Sequence, residues 1–96
     1  MARICIEATP SDDLREYRFK IKRRKVRMNS SNQGCIDIEG QCGDGRPLRL
    51  VYGLVGDVGA TLGIRMTCDD THDIPMPQLE IFPPGPVQDG AVDFTL

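Results

Sequence analysis

Seven short stretches of this chain alternate or cluster apolar residues over five to twelve positions, and turn-forming residues separate every one of them from the next. The stretches are Arg3–Ala8, Glu16–Arg27, Gly34–Gln41, Pro47–Val55, Thr61–Cys68, Gln78–Phe82 and Ala91–Thr95. Between them lie T-P-S-D-D, N-S-S-N-Q-G, G-D-G, G-D-V-G, D-D-T-H-D-I-P and P-P-G-P. Period-2 patterning of this kind describes strands with one face against a core, bounded by residues that set tight turns. No segment holds a 3.6-residue period. Ser11–Tyr17 is the one helix candidate, with Ser11 as N-cap and Asp12 and Asp13 in the first turn. The pattern therefore predicts a mainly β chain, a small antiparallel β-sandwich or partly open β-barrel of five to seven strands, with at most one short helix.

Ninety-six residues with 40% hydrophobic and 27% charged content suit one domain over 1–96 with a single modest core. Aromatic residues are few, so Ile, Leu and Val must fill that core. The inward set expected from alternation is Ile4, Phe19, Ile21, Ile36, Ile38, Leu50, Tyr52, Leu62, Ile64 and Met66. Five of the seven prolines fall in Ile74–Gly90. Proline has no N–H for a central ladder, so this region is expected as an extended connection wrapped on its own sheet.

Matching apolar stripes suggests a register. Setting Leu54 opposite Leu62 aligns Tyr52 with Ile64 and Leu50 with Met66. A three-residue loop Gly43–Gly45, with Gly45 left-handed, sets Ile38 opposite Leu50 and Ile36 opposite Tyr52. The third, fourth and fifth stretches then form a meander. The second joins the third, so that its cations meet Asp37 and Glu39 across the strands.

Charge is distributed unevenly. Residues 1–50 hold eleven cations against seven acids, a net +4; residues 51–96 hold one cation against seven acids, a net −6. Eight of the twelve cations lie between Arg15 and Arg27. Up to Lys22 they alternate with Tyr17, Phe19 and Ile21, which leaves them on an outer face. At Arg23 the alternation fails, because extending it would bury Arg23 and Lys25, and an unpaired buried cation is too costly. The strand must bulge there or project as a basic hairpin tip. Lys20, Lys22, Arg23, Arg24, Lys25 and Arg27 are accordingly the candidate partner-binding residues.

Catalytic chemistry finds little support in the sequence. The single histidine, His72, follows Cys68 by four residues at a strand end, a poor geometry for a Cys–His dyad. Asp69, Asp70 and Asp73 offer hard oxygen ligands without the D-x-D-x-D-G spacing of a calcium loop. The glycine-rich stretches lack the Lys-Ser/Thr ending of a phosphate-binding loop and are better explained as turns. No catalytic residue, cofactor or metal is therefore expected.

MARICIEATP has no long apolar core of a signal peptide, and no apolar stretch approaches the ~20 residues of a membrane-spanning helix. This leads to an expected cytoplasmic location without membrane association. There Cys5, Cys35, Cys42 and Cys68, with no C-x-x-C pair among them, would be reduced thiols inside the fold. The function these features point to is a non-enzymatic interaction module that contacts an acidic protein partner through the basic strand and hairpin tip. The alternative is a nucleic-acid-binding β domain using the same ribbon, and a third is an enzyme with an unrecognised carboxylate site.

Overall fold

The computed structural model describes all residues from Met1 to Leu96. Nine strands follow one another: β1 (Ala2–Pro10), β2 (Leu14–Ile21), β3 (Arg24–Val26), β4 (Gln33–Ile38), β5 (Pro47–Gly56), β6 (Thr61–Cys68), β7 (His72–Ile74), β8 (Leu79–Glu80) and β9 (Val87–Thr95). They form two antiparallel sheets. One runs β4-β1-β6-β7, with β8 also pairing β6, and the other runs β3-β2-β5-β9. Neither closes into a barrel, so of the two architectures the alternation allows the fold is the small β-sandwich. There are more strands than expected because the basic stretch folds back on itself to add β3, and three residues of the acidic segment expected as a turn pair with β6 as β7.

Each sheet is built around a strand with partners on both sides. β1 lies between β4 and β6, and β5 between β2 and β9. Along β1, Ala2, Ile4, Ile6 and Ala8 all point inward and are buried. Leu48, Leu50 and Leu54 do the same on β5. A cluster of 21 buried apolar residues fills the space between. The expected inward residues all join or pack on this cluster, Tyr52 and Ile64 only half-buried at its margin. Tyr52 is displaced from the centre because its ring lies over Gly90, its direct partner on β9, where a Cβ would collide with it.

The meander is not formed. β4 and β6 belong to one sheet and β5 to the other, so Leu54 and Leu62 sit in opposing sheets. Ile36 pairs with Ile4, Ile38 with Ala2, and Phe19 with Tyr52. Matching stripes cannot separate strands that lie side by side from strands that face each other, since both arrangements bring the same residues into one core. Gly43 and Gly45 do adopt positive φ (87° and 78°), but in a connection that crosses between sheets. Ser11–Tyr17 is not helical: Asp12 and Asp13 form a turn and Leu14 begins β2. Ser11 instead fastens that turn to β6, exchanging bonds with the Thr61 backbone on both its N–H and its hydroxyl.

The proline-rich connection wraps its own sandwich. Ile74, Leu79 and Ile81 are buried, and Ile81 N–H donates to the Ala60 carbonyl at 3.0 Å. Pro84 and Pro86 follow cis peptide bonds.

The expectation of four free thiols is overturned by two disulfides, Cys5–Cys35 and Cys42–Cys68. Cys5 and Cys35 are directly paired residues of β1 and β4, on the outer side of both strands. Their parity was visible in the sequence: each sits between inward-pointing isoleucine or glycine positions, on the same face as Arg3, Glu7 and Asp37. A thiol core residue would have had the opposite parity. The bridges close segments of 30 and 26 residues. On a chain-entropy account each contributes roughly 3–4 kcal/mol by restricting the unfolded chain.

Two measurements check this architecture. Phe19→Ala removes a side chain with no exposed surface and should cost about 3–5 kcal/mol in denaturant unfolding, more than Ile64→Ala at the half-buried margin. A thiol assay should find no reactive cysteine in the native chain purified without reductant; four should appear after reduction in denaturant.

Candidate partner interface

The strand does turn back where the alternation fails. Ile21 pairs with Arg24, Lys20 with Lys25 and Phe19 with Val26, which leaves Lys22 and Arg23 as a two-residue loop. Both have positive φ, 52° and 65°. A two-residue hairpin of this kind matches the twist of its strands, but it is normally made by Asn-Gly or Asp-Gly. Side chains with a Cβ cost roughly 1–2 kcal/mol per residue in the left-handed region. Here the tip holds two long cations.

A second local cost lies one pair below. Lys20 and Lys25 are directly opposed on the outer face, and like charges opposed across a ladder destabilise it. Apolar anchoring holds the hairpin in place: Phe19, Ile21 and Val26 point inward and are buried. Tyr17 packs against Phe19 with ring centroids 5.5 Å apart, and its hydroxyl donates to Asn32 Oδ1. Burial raises the Tyr17 phenol above its usual value. At the open side of the sandwich, Arg24 Nη1 donates to the Asp37 carbonyl at 2.7 Å, tying the hairpin to β4 in the opposite sheet.

Ion pairing separates these cations from five of the other six, Arg46 being held by the Glu39 carbonyl at 3.0 Å instead. Five arginines are matched with aspartates: Arg3–Asp37, Arg15–Asp57, Arg18–Asp89, Arg49–Asp93 and Arg65–Asp73. None of Lys20, Lys22, Arg23, Arg24, Lys25 or Arg27 has a carboxylate within 4.0 Å, and all six are exposed. The expected answer from β4 is absent, because Asp37 faces Arg3 and β2 pairs with β5 instead. The acidic turn after β6 is engaged locally, with Asp69 Oδ1 accepting from the Arg3 N–H at 2.9 Å.

Two side chains that the sequence reading passed over extend the surface. Because Leu48 and Leu50 point inward, Arg49 and Val51 must point outward beside the hairpin. With Lys22, Arg23 and Thr95 they line a shallow depression of about 710 Å³ on the outer face. Arg49 meets Asp93 through two contacts, Nε at 2.7 Å and Nη2 at 3.3 Å. This bond holds the Asp93 carboxyl below the ordinary carboxylate range and pushes the Arg49 guanidinium higher still. Asp44 is also lowered, chiefly by N–H bonds from Gln41 and Arg46. Farther along the face, Arg18 crosses β5 at Gly53 to reach Asp89; a Cβ on Gly53 would press on the guanidinium.

The other candidate chemistries lose their groups. Cys68 is bonded to Cys42, so it offers no thiol to His72, and two sulfurs bonded to each other are not thiolate ligands beside Asp69. His72 is exposed, with Nδ1 2.9 Å from Thr71 Oγ1.

Comparison with protein-family models, with curated proteins and with solved structures finds no match to this chain.

The lowered carboxyls fix a pH response. Because Asp93 and Asp44 bind protons less readily folded than unfolded, the stability they lend is present above the ordinary carboxylate range, about pH 4, and is lost as pH falls through their folded values. Acid titration of the unfolding midpoint should show this fall, and Asp93→Asn should shrink it.

Proposed function

We propose that this chain is a non-enzymatic binding module that docks an acidic protein segment on the β2–β3 hairpin and the outer face beside it. The observation that carries the reading is local cost without local reward. Two cations occupy a strained turn, two lysines oppose each other, and none of the six hairpin cations meets an acid of its own chain. A partner's carboxylates would supply the missing counter-charges, steer the encounter and relieve the repulsion. Val51, 45% exposed, and the depression around it would give the bound segment an apolar seat.

A stacking mode of nucleic-acid binding draws less support, since Tyr17 and Phe19, the aromatics within the ribbon, are turned inward. Two disulfides favour an oxidising compartment as the working environment, in place of the cytoplasm suggested by the thiol reading.

Titration at low salt against poly-L-glutamate and against mixed single- and double-stranded oligonucleotides tests the proposal. Poly-L-glutamate should bind, with Lys22→Glu/Lys25→Glu weakening it by about tenfold or more, mainly through the association rate. Equal or tighter oligonucleotide binding, with a salt slope that shrinks by about one for each lost contact, would transfer the surface to the nucleic-acid reading. Binding of neither polyanion would remove both.

A further inference from the structure

The two disulfides differ in what they do and in what can reach them. Cys42–Cys68 ties the crossing connection after β4 to the end of β6; Cys42 is half-buried and Cys68 has no exposed surface. Cys5–Cys35 lies on the outer face of the same sheet, between β1 and β4, with Cys35 exposed and Cys5 half-buried. Backbone pairing from Ala2↔Ile38 to Glu7↔Gln33 already joins its two strands, and Ile4, Ile6, Ile36 and Ile38 anchor them inward. The fold thus holds β4 in place on both sides of the bridge without needing it. Around the sulfurs is a depression of about 340 Å³, bounded by Gln33, Thr67 and charges of both signs, Glu7, Arg65 and Asp70.

We infer that Cys5–Cys35 is a thiol–disulfide exchange site for a small zwitterionic peptide thiol of the glutathione class. The depression is at the small end of ligand-site volumes. Its Arg65, held by Asp73 only through a long and exposed 3.7 Å contact, suits a carboxylate of such a molecule, and Glu7 and Asp70 suit its ammonium group. The incoming thiolate attacks Sγ of Cys35, the more exposed residue of the pair. A bond forms between the two sulfurs, the Cys35–Cys5 bond breaks, and the electron pair leaves on Cys5 Sγ, which takes a proton from water. A second thiolate then attacks the added sulfur, releasing the small disulfide and the Cys35 thiolate. The protein disulfide is reduced to two thiols while two small thiols are oxidised to one disulfide. This inference is independent of the hairpin's partner.

The test treats native protein with reduced glutathione, quenches with iodoacetamide at intervals and maps the modified peptides by mass spectrometry. Early samples should carry glutathione on Cys35 and the alkyl group on Cys5, with Cys42–Cys68 still closed and opening about tenfold or more slowly. In guanidinium chloride the two bridges should open at similar rates. Native opening of Cys42–Cys68 first, equal native rates, or the adduct on Cys5 would overturn the assignment. Recognition is tested separately: Arg65→Gln should slow the reaction with glutathione several-fold but leave that with uncharged mercaptoethanol unchanged. An equal effect on both thiols would overturn the zwitterion preference.

Discussion

Two apolar stripes facing each other across the sandwich hold everything else in position. Ile4 and Ile6 on β1 and Leu50 and Leu54 on β5 are buried in one core from opposite sheets, and each of those strands is paired on both sides. Removing large apolar side chains from water supplies most of the favourable free energy in a chain this short, and the two-sided pairing keeps the stripes in register. The hairpin depends on this arrangement through Phe19, Ile21 and Val26, whose burial fixes the strands on either side of a turn that is locally unfavourable. A strained tip persists only when its surroundings over-determine it.

Much of this was legible in the residues. Alternation placed most of the strands, Thr61–Cys68 with its observed bounds, and every residue it turned inward joins or packs on the core, although β7 falls in a stretch read as a turn and β9 begins at Val87 rather than Ala91. It also located the break at Arg23, because a cation at an inward position forces the chain to do something else. What alternation could not supply was the assignment of strands to sheets. Leu54 and Leu62 satisfy one another equally well as ladder neighbours or as opposed residues, and only the whole set of pairings decides between them. A longer-range signal was available in Cys5 and Cys35, whose outward parity on two apolar strands suits a cross-strand bridge better than two separate core thiols.

For the candidate interface, the sequence marked the six cations but not their isolation. That property depends on which acids are used elsewhere. Asp37, an acid expected to neutralise the ribbon, is claimed by Arg3 because β4 pairs with β1. Arg18, inside the same basic stretch, is removed from the free set by a reach over Gly53 that no local pattern announces. Charge pairing in a sandwich is therefore settled by topology, and composition alone says little about it.

The opposed Lys20 and Lys25 have a thermodynamic consequence for the unliganded chain. Their repulsion is a standing load on the free protein that simple counterions can lighten. Mobile anions gathering over the face would screen the pair, so the hairpin becomes firmer in a concentrated electrolyte than in a dilute one. Most surface pairs in this fold respond the other way, because screening weakens Arg–Asp attraction. The two ends of one sheet thus answer ionic strength with opposite sign, and the hairpin gains order under the same conditions that loosen the Arg49–Asp93 side.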